Sequence, residues 1–324
     1  MLHARILLLS ASITLLSATQ LFAQDGGIKI DTEKNNESDE LLAMLEDMPE
    51  KPRYATATFK TTRVVTGHSI ENTGKGVLDF RVNHRFGALQ GGTATFFGLD
   101  DANTRIGFDY GITDWLMVGI GRNTFQKEVD GFTKIKILRQ KEGKGMPVSL
   151  SYMGAMSVQG MPKPTLPPGQ EYNFSNRLYY VNQLLVARKF NKWLSLQLMP
   201  THIHYNLVPT TPEPNDLVAI GAGGRVKISN RVSINAEYYY QVPGTMQNGY
   251  VNTFSLGFDI ETGGHVFQLM LTNSRAMTER AYIGQTPLQW AFDNSGAIHI
   301  GFNISRVFTI VRAKEFQGSR NSTW

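Results

Sequence analysis

From residue 77 onward the chain alternates apolar and polar side chains in runs of about ten residues, the span of a tilted membrane strand, and turns break the runs at regular intervals. A β-strand sends successive side chains to opposite faces, so this alternation describes a sheet with one apolar and one polar face. The pattern predicts strands over 77–86, 104–110, 115–123, 132–139, 146–157, 177–189, 193–204, 216–228, 231–240, 251–260, 264–273 and 297–308. Tight connections fall at 111–114, 140–145, 190–192, 229–230 and 261–263, and longer ones at 87–103, 124–131, 158–176, 205–215, 241–250 and 274–296. Short and long alternate without exception. In transmembrane barrels of the up-and-down kind, short turns face the periplasm and long loops face outside. The expected fold is therefore an all-β, antiparallel transmembrane barrel of twelve strands with both ends periplasmic.

Parity assigns the two faces. Leu116, Val118 and Ile120 share a face, as do Val232, Ile234 and Ala236, then Phe254, Leu256 and Phe258, and then Ile298, Ile300 and Phe302. These are the expected lipid-facing rows, and a backbone in hydrocarbon has to satisfy its hydrogen bonds within the sheet, so the strands must close. The opposite rows are polar and supply the candidate lumen or solute-binding residues: Arg81, Arg85, Arg105, Asp109, Lys134, Lys136, Arg225, Lys227, Glu237, Asp259 and Gln268. Two readings fit them. One is a basic lumen that selects anionic or polar solutes. The other is a filled lumen in which Asp79, Asp109, Glu237 and Asp259 pair with those bases, as a narrow bore allows.

Composition agrees with this picture. Hydrophobic residues make up 41% of the 324 residues, too few and too dispersed for a transmembrane helix beyond the N-terminus. There is no cysteine, which excludes disulfides and thiolate metal sites. The net charge is +5, unevenly spread: residues 24–52 hold nine acidic side chains against Lys29, Lys34 and Lys51, so an acidic leader precedes a basic barrel. Such a surface suits anionic lipopolysaccharide or an anionic solute. The bases form no run, and nucleic acid is not an expected partner.

The expected organisation is a signal peptide over 1–23, an acidic periplasmic linker or short helix over 24–52, an extended plug or extra strand over 53–76, the barrel over 77–308 and a tail over 309–324. His3 and Arg5 start the signal, Ile6–Leu16 is its apolar stretch and Leu21-Phe22-Ala23 precedes the cleavage point. In the linker Ser38 caps a possible helix whose Leu41, Leu42, Leu45 and Met48 share a face. Counting 53–66 as a strand would make thirteen and break the even parity of single-chain bacterial barrels.

Chemical motifs are sparse. His202 and His204, two apart on a strand, share a face and offer an incomplete metal pair, with Pro200 as a possible bulge. His265 follows a Gly-Gly turn as an interfacial residue, and no serine elbow of the Gly-x-Ser-x-Gly type accompanies it. Gly221-Ala-Gly-Gly lies inside a strand without a following helix, so it eases close packing rather than binding phosphate. In 274–296 a short helix is expected, supported by Arg275 and Glu279 at i,i+4, either as a cap over the bore or as a surface loop. Phe308 ends the last strand as an aromatic assembly signal would, with Trp324 after the tail as the alternative terminal aromatic.

Asn83-His-Arg-Phe-Gly, Phe97-Gly-Leu-Asp, Tyr110-Gly-Ile-Thr-Asp, Asn235-Ala-Glu-Tyr-Tyr, Glu261-Thr-Gly-Gly-His-Val-Phe-Gln-Leu and Gly301-Phe-Asn-Ile-Ser-Arg-Val-Phe together resemble a membrane-bound β-barrel family of Gram-negative bacteria, classed as a domain of unknown function. The resemblance covers about residues 53–310 and is most specific over 262–269. It implies an outer-membrane barrel after a signal peptide and brings no substrate or catalytic residues. The resulting expectation is a passive pore or solute-binding channel with a basic polar lumen. A non-conducting scaffold with a periplasmic protein partner is the alternative, and a lipid-modifying enzyme the second alternative. The leading expectation is of a protein that is no enzyme and needs no cofactor or metal. Its expected partners are outer-membrane lipid, lipopolysaccharide and the barrel-assembly machinery.

Overall fold

The structure, a computed structural model, describes residues 53–165, 171–208, 213–262, 265–291 and 296–311. The expected signal peptide, the linker helix and the end of the tail lie outside these residues. Twelve strands form: β1 Val77–Ala88, β2 Ala102–Gly111, β3 Leu116–Asn123, β4 Val129–Leu138, β5 Ser149–Val158, β6 Leu178–Lys189, β7 Leu194–Tyr205, β8 Asp216–Lys227, β9 Val232–Gln241, β10 Thr253–Thr262, β11 His265–Thr272 and β12 His299–Thr309. Each pairs antiparallel with its sequence neighbours, and β1 closes on β12 with Asn83 opposite Asn303. Closure leaves no strand edge, which a wall in hydrocarbon requires.

The face assignment follows from this register. Ile120, Leu198 and Leu269 stand outward and about half exposed, while Asp79, Arg81, Asn83 and Arg85 of one strand all point into the bore and are buried. Pro200 produces no bulge: it stays in register opposite Ile220. The glycines of β8 act as the motif suggested. A Cβ at Gly221 would meet the Tyr239 ring at 2.5 Å, and one at Gly223 would meet Val64 at 3.2 Å, so the wall thins where the bore is fullest.

The strict alternation of short and long connections fails in one hairpin pair. The β3–β4 loop spans only 124–128, whereas the β4–β5 turn spans 139–148. The turn is long because it receives another segment. Tyr54 bridges Lys141, the Ala55 amide donates to the Gln140 carbonyl at 2.9 Å, and the Glu142 amide donates to the Arg53 carbonyl at 2.8 Å.

From that anchor, residues 55–76 run into the bore and return as a bent hairpin. The Val64 amide donates to Gly67 O at 2.8 Å and the Ser69 amide to Thr62 O at 3.0 Å, around a bridge between Arg63 and His68. This segment is a plug and joins the sheet in no ladder among the described residues. Phe59, Val64, Val65 and Ile70 are buried against inward-facing Met117, Phe132, Met199, Tyr239 and Met270. The bore thus holds an apolar core as well as polar rows. At the opposite end, the long β11–β12 connection folds inward and carries a short helix, α1 Glu279–Gly284, buried along its whole length. Arg275 does not pair with Glu279, because it reaches Asp101 at 2.7 Å and leaves Glu279 to face the plug.

Leu269 lies at mid-strand on the outer wall. Leu269→Arg is expected to lower folding free energy into lipid vesicles by about 2–4 kcal/mol, measured by denaturant titration, with no comparable loss in a conservative Leu269→Val.

Candidate functional site: the filled bore

The plug tip is held by side chains of the wall. Glu237 on β9 accepts the backbone N–H groups of Val65, Thr66 and Gly67 at 3.2, 2.8 and 3.1 Å. Gln197 on β7 accepts from the Ile70 amide and donates to the His68 carbonyl, both at 2.7 Å, as a paired strand would. Gln268 donates to Val64 O at 2.8 Å and Asn303 to Val65 O at 3.0 Å. Lys134 donates to Ser69 O at 2.9 Å, and Arg225 donates to Ala57 O at 3.1 Å.

Charges are matched around this frame. Arg63 of the plug meets Asp109 at 3.1 Å, Arg81 meets Asp79 at 3.1 Å, and Arg105 donates to both oxygens of Asp130 from Nε, at 2.9 Å, and Nη2. Arg85 donates to Asn303 at 3.0 Å and reaches Thr66 Oγ1 at 3.3 Å. Asp259 accepts from Gln268 at 2.7 Å. Of the predicted lumen residues, Lys136 and Lys227 are only half-buried, toward the turn end, and the others are buried. Apart from Lys136 and Lys227, these side chains therefore spend their polar groups on the plug or on one another.

The α1 end is latched separately. Glu128 accepts from Arg280 Nε at 2.8 Å and from Thr278 at 2.7 Å, and Gln126 accepts from Arg280 at 2.6 Å. Arg280 also lies 4.1 Å over the Tyr179 ring, and Tyr205 donates to its carbonyl at 2.8 Å. The tight 124–128 loop that supplies these acceptors holds Gln126 and Lys127 at φ 50° and 49°, a left-handed backbone that costs a side-chain-bearing residue free energy.

Plug and helix meet in the middle. His68 Nε2 lies 3.4 Å from Glu279 Oε1, and the imidazole packs edge-on against Phe132 with 4.4 Å between ring centroids. Burial holds His68 well below the usual histidine range, with the Arg63 charge acting in the same direction. Burial pushes the Glu279 carboxyl up to about 7, opposed by Arg63 and Arg105 and reinforced by Asp130.

At the turn end a cavity of about 460 Å³ opens between the plug and the β10–β12 wall. Lys60 and Glu261 form an ion pair there, and the Asn72 amide and Thr73 hydroxyl are buried without a protein partner. On the outer wall His202 and His204 both contact Asp216 Oδ1, at 2.9 and 2.8 Å. No group of three or more acidic or histidine side chains among the described residues is arranged to hold a metal ion.

A closed antiparallel barrel with an apolar exterior and a polar, occupied bore defines a transmembrane β-barrel. The chain belongs to the family of the membrane bound beta barrel domain (DUF5777), which matches residues 59–308. The match begins at Phe59, so the plug hairpin is part of the family domain. Comparison with curated proteins gives no match. Among solved structures the chain is similar to the NanC porin, with 9% identity, a TM-score of 0.46, and coverage of 71% of this chain and 98% of that one. It is similar also to an outer membrane channel from Pseudomonas putida F1, with 13% identity, a TM-score of 0.43, and 74% and 98% covered. A third is the outer membrane phospholipase A from Escherichia coli, with 9% identity, a TM-score of 0.42, and 73% and 91% covered. At these scores the likeness bears on no question of function.

Sequence patterning found the charged rows and missed the rest of the site. Arg63, His68, Glu128, Glu279 and Arg280 lie outside the alternating positions, and Tyr179, Tyr205, Tyr239 and the buried methionines occupy inward positions that polarity alone would not select. One signal was present. Leu184-Leu185-Val186-Ala187 on β6 is apolar at both parities, which describes a strand covered on both faces.

Glu237→Ala leaves three buried N–H groups without an acceptor. It is expected to lower stability by at least about 2 kcal/mol and to expose 64–67 to protease while the barrel keeps its heat-modifiable gel mobility. The raised Glu279 carboxyl favours the filled bore most below the unfolded carboxyl value of 4.5, and that contribution is lost as pH rises through about 7. Glu279→Gln is therefore expected to gain heat stability relative to the parent between pH 5 and pH 8.

Proposed function

We propose that the protein is an outer-membrane barrel of a Gram-negative bacterium, closed at rest by its own plug and inward-folded helix. It acts as a structural or periplasm-linked barrel and not as an open passive pore. The observation that carries this reading is the His68–Glu279 contact, where segments entering from opposite ends meet inside one bore. A solute crossing the wall would have to displace the Arg63–Asp109 pair and the Glu237-bound tip, and breaking a buried pair costs about 3–5 kcal/mol. The plug follows directly on the acidic segment 24–52, so a periplasmic protein that engages that segment would act on the plug through the chain. The tight turns face the periplasm on this reading. We assign the wall no reaction, since His202 and His204 share a carboxylate and neither hydrogen-bonds a serine among the described residues.

Planar-bilayer recording tests the proposal. The intact mature chain is expected to show no steady conductance, and a chain lacking residues 53–73 together with α1 is expected to show discrete open steps. Steady open steps from the intact chain across voltages would overturn the closed resting state.

A further inference from the structure

Two cavities at the turn end adjoin at Arg188 and Phe190. The first is a groove of about 370 Å³ on the lipid-facing wall between β6, β7 and β8, lined by Val186, Leu196, Leu198 and Ala222. Its depth follows from register: Leu198 stands opposite Ala222 and Leu196 opposite Gly224, so two large side chains face two small ones. Bulk returns on either side at Ile220 and Val226. The second is a cavity of about 440 Å³ between the turns 139–148 and 190–193, with Lys141, Lys189 and Lys192 against the single acid Glu142. Arg188 and Phe190 line both, so the apolar groove runs directly into the basic one.

The cations lie where lipid phosphate lies. Arg188 stacks 5.2 Å over Phe190 and Lys192 lies 5.3 Å over Trp193. Both rings are exposed at the 190–193 turn, where an interfacial aromatic belt sits, and Phe190 lines the outer-wall groove. Lys189 also donates to Thr56 O at 2.8 Å, which ties the basic cavity to the base of the plug.

We propose that this site binds one phospholipid with an anionic headgroup, its acyl chain in the β6–β8 groove and its phosphate on Arg188, Lys192 and Lys141. An apolar slot alone would accept any annular chain. A basic rim alone would attract any anion. Their continuity selects a molecule that carries both groups. The inference does not depend on whether the bore opens.

Native mass spectrometry of the delipidated, detergent-solubilised mature chain tests it, with phosphatidylglycerol, phosphatidylethanolamine and phosphatidylcholine of identical chains as probes. Phosphatidylglycerol is expected to bind at least tenfold more tightly than the other two. Arg188→Gln and Lys192→Gln are each expected to weaken it about five-fold, the effect of one basic residue near a charged lipid surface. Arg231→Gln, a cation on another turn of the same end, should leave binding unchanged. Ala222→Leu fills the groove and should weaken binding. Soluble glycerol 3-phosphate, which has the charge without the chain, is expected to bind at least tenfold more weakly than the lipid, and this arm requires no variant. Equal binding of the three lipids, an Arg231→Gln loss as large as that of Arg188→Gln, or glycerol 3-phosphate binding as tightly as the lipid would each overturn the proposal.

Discussion

A chain enclosed by a barrel has no free strand edge to pair with, and a buried N–H or C=O group left unmatched costs free energy comparable to a lost hydrogen bond. That constraint explains the identity of the inward side chains. Where three consecutive N–H groups converge at the plug tip, the wall presents the two oxygens of Glu237. Where an N–H and a C=O lie side by side, it presents the amide of Gln197, which both accepts and donates. Where carbonyls stand alone, it presents Lys134 and Arg225. The polar inner face is a complement to a polypeptide backbone. Read without the plug, the same residues look like the lining of a water-filled selective pore, which is why inner polarity by itself is weak grounds for transport.

The charges obey a second requirement. Carrying Arg63 into a bore that already holds Arg81, Arg105 and Lys134 would be costly without Asp109 and Asp130 at hydrogen-bonding distance. The apolar plug side chains add a contribution of a different kind. Burying Val64 and Val65 against Met199, Tyr239 and Met270 removes apolar surface from water at about 1.5–3 kcal/mol per side chain. The tip is therefore specified by hydrogen bonds and driven inward by apolar burial.

The wall was legible in the sequence because lipid imposes a period of two on every strand. All twelve strands, the faces of the later rows and the packing use of Gly221-Ala-Gly-Gly follow from that one regularity. The filling was much less legible. A segment matched by side chains instead of by a ladder carries no period, so residues 55–76 reveal an extended chain and nothing about Glu237 or Gln197. The Arg275–Glu279 spacing suggested a helical pair and misled, since Arg275 found Asp101 across the loop end and Glu279 found His68. Intrahelical support worth about 0.2–0.5 kcal/mol is easily outweighed by burial. The short 124–128 loop was likewise misjudged, because its left-handed Gln126 and the Glu128 that ends it both accept from Arg280, which lies 152 residues beyond Glu128.

The two halves of the filling differ in how they are attached. The helix α1 is tied into the sheet at both ends, by β11 and by β12, and Arg280 fastens it through Glu128, Gln126 and the Tyr179 ring. The plug enters the sheet only at its β1 end. Its other end is held by the Tyr54–Lys141 bridge and the amides beside it at the 139–148 turn. Withdrawing the plug breaks the buried Arg63–Asp109 pair and exposes Val64 and Val65, but it disturbs no rung of the barrel ladder. Withdrawing the helix would drag on two wall strands and strip a fully buried Arg280–Glu128 pair. Each segment carries one buried ion pair, so what separates them is the covalent tie of the helix to two wall strands. That asymmetry makes the N-terminal hairpin the element that can leave without loss of wall hydrogen bonds, and the helix the fixed stop against which it packs.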